Sequence, residues 1–385
     1  MTTTDSQSFA ATADGQLKTG QAPECGWPEP GLERVRPRFD APLYIAWEVT
    51  LLCNARCVHC YSESGPRVRH SGQLSTVEGL RMIDDLADAG LLVLAFSGGE
   101  PLIRRDIFQL IGRAVERGLV VNVATNGAVV RDRMARRIKE AGVRSVTVSL
   151  DGATAKTHDG MRQFPGLFER TVRAVETLAG HGLRVVVSFT PTRLNYKEGP
   201  AVVALAHQLG AQAVNMSEYV PAGRGTIDLA LSPAALQDLL QQWITMRREY
   251  AGRMRIIWHD CRAAMLVPPE ERDLYNGCGA GKLTARIRVD GTLTPCVFLP
   301  NPVGNLRTTP FREIWSRSSL LHKIRSREID RDSNCGACAL KDVCGGCRAV
   351  SMAHYGTPLR GDPSCWINPE PGRHVTSASA VRREA

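Results

Sequence analysis

The sequence has no apolar run approaching the length of a bilayer span, so no membrane partner is expected. Its N-terminus is rich in Ser, Thr and Gly and lacks the apolar stretch of a signal peptide, which points to a cytoplasmic protein. Lysine-rich tracts and nucleic-acid-binding motifs are missing too, so nucleic acid is not expected as a partner. No internal repeat is present. A disulfide framework is disfavoured, because the twelve cysteines stand in a chain without an export signal. What charge imbalance there is, 48 Lys+Arg against 39 Asp+Glu, gives a net charge of +9. A solvated basic surface accounts for it, and it would also suit an anionic substrate or an acidic electron donor.

The 385 residues are enough for one large α/β domain with an appendage. Residues 1–40 read as a flexible lead-in, and Cys25 within them as incidental. From Pro42 the pattern becomes strand, loop, helix, repeated. LYIAWEVTL, LLVLAF, LVVNVATN, SVTVSLD, RVVVSFTP and AQAVNMSEYV read as six strands, with helices between them. Ser75 and Glu78 form a capping box that opens a helix ending near Gly90. Apolar strands alternating with amphipathic helices predict a parallel sheet covered by helices. Six units are too few for a closed eight-unit barrel, and a partial barrel or an open doubly wound sheet both fit. Residues 41–228 are expected to form this core and 229–274 a helical linker. Residues 275–370 are expected to form a small domain held by metal rather than by a large apolar core, and 371–385 a disordered tail.

The cysteines fall into two groups. Cys53, Cys57 and Cys60 follow the first strand at C-x3-C-x2-C. Cys278, Cys296, Cys335, Cys338, Cys344, Cys347 and Cys365 form the second, with Cys261 standing apart. A closed zinc site takes four ligands, so three thiolates leave one position open for chemistry. SGGEP (97–101), TNG (125–127) and SLDG (149–152) end successive strands, where α/β sheets carry their functional loops.

The C-x3-C-x2-C group resembles the signature of the radical S-adenosylmethionine enzymes. The resemblance implies that Cys53, Cys57 and Cys60 hold three irons of a [4Fe–4S] cluster, the fourth iron binding S-adenosylmethionine. It further implies a partial (β/α)6 barrel. Within it, His59 lies near the adenine, Gly98, Gly99 and Glu100 meet the amino group, Asn126 belongs to the same site, Ser149 and Asp151 meet the ribose, and Arg162 meets the carboxylate. YVPAGRG (219–225), with Arg224, would line the same pocket or form a tight turn.

The second cysteine group is similar to the SPASM pattern, which implies two auxiliary [4Fe–4S] clusters. By that likeness Cys335, Cys338, Cys344 and Cys365 hold one, and Cys278, Cys296 and Cys347 supply three ligands of the other. The last gap, Cys344-x2-Cys347, is one residue shorter than in many members. Cys261 is a candidate fourth ligand, or a hydrogen donor in a redox-neutral reaction. The expected activity is oxidative modification of a peptide or tetrapyrrole by decarboxylation, dehydrogenation or crosslinking. CGGCRA resembles haem-pathway members. A flavodoxin or ferredoxin is the expected electron donor, and a peptide substrate would call for a separate leader-binding protein. Two alternatives stay open: an epimerase or dehydrogenase of a sugar-like or aminocyclitol product, and a non-catalytic iron–sulfur or zinc scaffold.

Overall fold

The computed structural model describes residues 41–369 except Asn276. The lead-in with Cys25 and the expected tail from 371 lie outside these residues. Seven parallel strands run side by side in chain order: β1 (Tyr44–Glu48), β2 (Val93–Ser97), β3 (Val120–Thr125), β4 (Ser145–Ser149), β5 (Val185–Phe189), β6 (Ala213–Met216) and β7 (Arg255–Trp258). An eighth, β8 (Thr284–Ile287), returns to pair with the free side of β1, also parallel. The antiparallel strands β9 (Thr292–Thr294) and β10 (Gly304–Asn305) extend that edge. β7 and β10 end the sheet, so the barrel is partial and open.

The strand register separates two faces. Ile45, Trp47, Leu94, Phe96, Val121, Val123, Val146, Val148, Val185 and Val187 are buried on the helix-covered face. Glu48, Ser97, Asn122, Thr147, Ser149, Ser188, Asn215 and Arg286 share the opposite, lumen face. The core is therefore apolar outside the sheet and polar inside it.

Six helices cover the apolar face: α1 (Thr76–Asp88), α2 (Ile107–Glu116), α3 (Asp132–Glu140), α5 (Leu167–Gly180), α6 (Gly199–Gln208) and α7 (Pro233–Glu249), while α4 (Ala155–Arg162) packs against α5. The capping box of α1 forms as expected: Glu78 N donates to Ser75 Oγ, and Ser75 N donates to Glu78 Oε2. Ser232 caps α7, whose Trp243 stacks on Phe189 of β5 at 6.2 Å. The stretch expected to be a helical linker therefore carries more than a helix, since β7 completes the sheet on that side.

The cysteine-rich region continues from β8 through α8 (Phe311–Arg317), α9 (Ser319–Arg325) and α10 (Arg348–Tyr355). Its own apolar cluster is small, with Ala280, Leu299, Ile324, Ala349 and Val350 joined by Val220. The turns between α9 and α10 carry Cys335 to Cys347. Among the described residues no helix is long and apolar enough to cross a membrane.

Candidate functional site

The first cysteine loop starts where β1 ends, and its neighbours hold it through backbone atoms. Gly99 N donates to Thr50 O (2.7 Å) and Glu100 N to Leu52 O (2.9 Å). This approach needs glycine: a Cβ on Gly98 would meet Thr50 O, and one on Gly99 would meet Leu52 O. Gly98 also has φ +119°, in the region that favours glycine. From the other side Arg56 N and Val58 N donate to the carbonyls of Arg162 and Met161, at the end of α4. Arg224 closes the loop from the 219–225 turn. Its Nε reaches Cys57 O (3.1 Å), its Nη2 reaches Ser64 O (2.7 Å), and its backbone N–H reaches Cys60 O (3.0 Å). The role of Arg224 in this structure is to clamp the loop.

The three thiols share one apolar cluster with Ala55, Ala128, Phe164 and Leu167. Cys53 Sγ accepts from Ala55 N at 3.4 Å and from Asn126 Nδ2 at 3.7 Å, and Cys57 Sγ accepts from Arg162 Nη1 at 3.6 Å. Burial pushes the Cys53 thiol up to about 12 and also raises Cys57. Bare thiolates are costly there, which fits a bound iron cluster that supplies positive charge. Two buried nitrogens beside them, His59 Nδ1 and Arg162 Nε, have no hydrogen-bond partner, which fits a polar cosubstrate seated over the loop. Among the described residues no group of three Cys, His, Asp or Glu converges as for a single metal ion. The wider cage of a cluster is compatible with that spread.

Several of the expected site residues have partners within the protein. The Asp151 carboxylate, expected to meet a ribose, is fully buried and pairs with Arg162 Nη2 (2.6 Å) and His59 Nε2 (3.2 Å). Burial alone would raise it, but Arg162 and His59 hold it well below the usual carboxylate range. Its other oxygen accepts from Thr190 N, so Asp151 orients the Arg162 fork and closes the end of β4. Glu100 is likewise fully buried, and accepts from Thr125 Oγ1, Asn126 N and Leu102 N. Burial raises it to about 7, against the pull of those hydrogen bonds. Through these bonds the carboxylate braces the TNG loop. Asn126 in turn holds Asn54 Oδ1 (2.6 Å) and the Cys53 sulfur, so it steadies the cysteine loop. Ser149 stays half-buried on the lumen face.

Two features had no sequence signal. His158 is buried and accepts from Asp151 N through Nδ1 at 3.0 Å, and burial lowers it to about 4. It is neutral, and its Nε2–H faces Thr171 Oγ1. Tyr61, directly after Cys60, meets Phe298 edge-to-face at 5.5 Å, and Phe298 N donates to Cys296 Sγ at 3.3 Å. Arg286 lies over the Tyr61 ring at 5.5 Å and pairs with Glu48 at 3.4 Å.

In the second group, Cys278, Cys296 and Cys347 pack into one small cluster. Cys335, Cys344 and Cys365 are close enough to influence one another's charge, and Cys338 shares the Cys335 turn. Cys261 is buried beside Cys278 and Cys344. Its thiol donates to Cys344, which lowers Cys344 and raises Cys261. These surroundings suit a ligand better than a hydrogen donor facing the lumen. All eleven described cysteines are free of disulfides.

Comparison with known proteins gives the family. The Radical SAM superfamily model matches residues 47–200, and an iron–sulfur cluster-binding domain model, SPASM, matches 278–339. The AdoMet-dependent heme synthase of Methanosarcina barkeri is 35% identical over 343 residues, covering 86% of this chain and 98% of the relative. The mycofactocin maturase MftC of Mycobacterium tuberculosis is 34% identical over 346 residues, covering 87% and 85%. The fold is that of Streptococcus suis SuiB bound to S-adenosylmethionine, with TM-score 0.71, 18% identity, and 85% and 78% of the two chains covered. The chain takes S-adenosylmethionine, a [4Fe–4S] cluster and auxiliary iron–sulfur clusters as cofactors, and it belongs to the SPASM subgroup of the radical S-adenosylmethionine enzymes.

Proposed function

We propose that this chain is an oxidative maturase acting on a tetrapyrrole, with Cys53, Cys57 and Cys60 holding the S-adenosylmethionine cluster. When bound, cluster and cosubstrate supply an electron and a 5′-deoxyadenosyl radical that takes a hydrogen atom from substrate. The residues of the chain do the rest. Asp151 fixes the Arg162 fork, Gly98 and Gly99 let backbone approach the site, and Arg224 clamps the loop. Cys335, Cys338, Cys344 and Cys365 hold one auxiliary cluster, and Cys278, Cys296, Cys347 and Cys261 the other. Clusters held by these cysteines would supply an acceptor for the one further electron that the substrate loses besides its hydrogen atom, with a proton also released in a dehydrogenation or crosslink. In a decarboxylation carbon dioxide leaves as well.

The observation that carries an oxidative outcome is the Tyr61–Phe298 contact, which joins the loop of Cys60 to the loop of Cys296. The heme synthase relative, covered over 98% of its length, supports a tetrapyrrole. The mycofactocin maturase relative supports a second reading, a peptide presented by a separate leader-binding protein. A flavodoxin or ferredoxin would deliver the electron.

The test is anaerobic reconstitution, iron and sulfide analysis, and incubation with dithionite, S-adenosylmethionine and iron-coproporphyrin. About twelve irons per chain are expected, falling by about four in the Cys53/Cys57/Cys60→Ala variant. The product should lose the mass of carbon dioxide together with two hydrogens in a decarboxylation, or of two hydrogens alone in a dehydrogenation, with 5′-deoxyadenosine formed in step. Zinc in place of iron, with no 5′-deoxyadenosine, would overturn the enzyme reading. A product of unchanged mass would favour the epimerase alternative.

A further inference from the structure

The lumen site leaves one buried charge network unexplained. Arg262, 2% exposed, lies next to Cys261 and has three carboxylates around it. Its Nε and Nη2 fork onto Asp260, each at 2.8 Å. Nη2 also pairs with Glu218, just beyond β6, and Nη1 lies 3.5 Å from Asp362. Asp260 follows β7 and also caps the turn that carries Cys261. A bidentate fork of this kind fixes geometry as well as charge.

Asp362, 1% exposed, touches the cysteines of both sets. Its Oδ2 accepts from Cys347 N at 2.8 Å, and its backbone N–H donates to Cys335 Sγ at 3.4 Å. Its carbonyl accepts from Cys365 N at 3.2 Å. Glu218 is itself hydrogen-bonded to Cys347. The neighbouring cavity, lined in part by Glu218, Asp260, Arg262 and Ser364, measures only about 30 Å³, room for about one water. Little solvent screens these charges, so each acts strongly on what lies beside it.

A salt bridge that served only to join two segments would be an expensive choice. Buried ion pairs often contribute no more than apolar packing of the same volume. This one is placed where charge matters for another reason. We propose that Arg262 and Asp362 are positioning residues that set the reduction potentials of the auxiliary clusters, Arg262 by its positive charge and Asp362 by its negative charge between the two ligand sets. The inference rests on the reading that these cysteines hold clusters. Negative charge beside a cluster opposes its reduction and lowers its potential, and positive charge raises it.

The experiment is a redox titration of the full-length reconstituted protein, followed by electron paramagnetic resonance, with Cys53, Cys57 and Cys60 changed to Ala so that only auxiliary clusters report. Asp362→Asn keeps an oxygen for one of the two N–H groups, that of Cys347 or that of Ser364, and removes the charge, so the auxiliary potential should rise. Arg262→Gln should lower it, and Arg262→Lys, which keeps the charge without the fork, should return it most of the way to the parent value. Opposite shifts are a signature that a merely structural role does not produce. Potentials unchanged in Asp362→Asn at full iron content would overturn the proposal, as would selective loss of auxiliary iron in that variant. If Arg262→Gln fails to fold, the Asp362→Asn result decides alone. Absence of auxiliary iron in the parent protein would instead overturn the cluster reading itself.

Discussion

At the scale of single residues, the ionisable side chains around the first cysteine loop mostly serve one another. Asp151 anchors Arg162, and Glu100 braces Asn126, which holds Cys53. A motif in sequence names such residues but does not show their burial or these partners. A similar brace lies at the head of α2. Asp106 accepts from Arg104 Nε at 2.7 Å and Nη2 at 2.9 Å and from Thr76 Oγ1, and these partners, Arg104 first, lower it to about 2. Arg104 also holds the carbonyls of Val49 and Leu74, so it ties the exit of β1 to the start of α1. A carboxylate lowered on folding adds stability above its unfolded pKa, about 4, and loses it as pH falls through the folded value. The chain should therefore lose about 1 kcal/mol of stability between about pH 4 and pH 2 from this pair, after solvent screening. Denaturant titration across that range checks it: Asp106→Asn should flatten that part of the profile.

At the scale of elements, the packing of α1 on the sheet depends on Gly79. A Cβ there would lie 2.8 Å from the Trp47 ring and 3.0 Å from Leu110 Cδ2. Alanine favours a helix over glycine by about 1 kcal/mol, but overpacking a core typically costs about 1–3 kcal/mol. Leu110 has a flexible end, whereas the fully buried Trp47 ring has nowhere to turn. Gly79→Ala is therefore expected to lower the melting temperature despite its better helix propensity. A rise in melting temperature would show that the Trp47 ring yields.

The elements also show what the sequence made legible. The six strands of the core and the capped helix α1 carry strong local signals: long apolar runs, Ser75 with Glu78, and glycine punctuation. SGGEP, TNG and SLDG stand at strand ends as expected. β7 and β8 carry little signal because RIIW and TARI are short and each holds an arginine, which breaks the apolar pattern, whereas the equally short AVNM of β6 holds no charge. Their partners lie across the fold, and only tertiary pairing makes them strands. The same holds for Arg262 and Asp362, ordinary polar residues in sequence whose importance arises from segments that meet only in the folded chain. The cysteines were legible for the opposite reason: their spacing is local, and thiols are few enough to stand out.

At the scale of the whole molecule, β8 makes the cysteine-rich region part of the barrel. It gives β1 its second neighbour, and Arg286 from β8 completes the lumen beside Glu48. Arg307 beyond β10 reaches back to the cap of α1 through Glu78 at 2.8 Å. A chain cut after residue 274 would leave β1 as a bare edge directly before Cys53. Such a truncation is expected to lose cooperative unfolding and to be cleaved in limited proteolysis at the 49–65 loop. A truncated chain that melts in one sharp transition and resists protease would show that the two regions fold independently.

The pairing of the first strand with the eighth also sets an order in time. During synthesis β1 and its cysteine loop leave the ribosome early, while the strand that flanks them waits for most of the folded chain to be made. Until β8 arrives, one side of the first metal-binding loop stays open. The late strand also brings Cys278, six residues ahead of it, to the same edge. The docking of β8 is therefore the event that closes the open side of this loop.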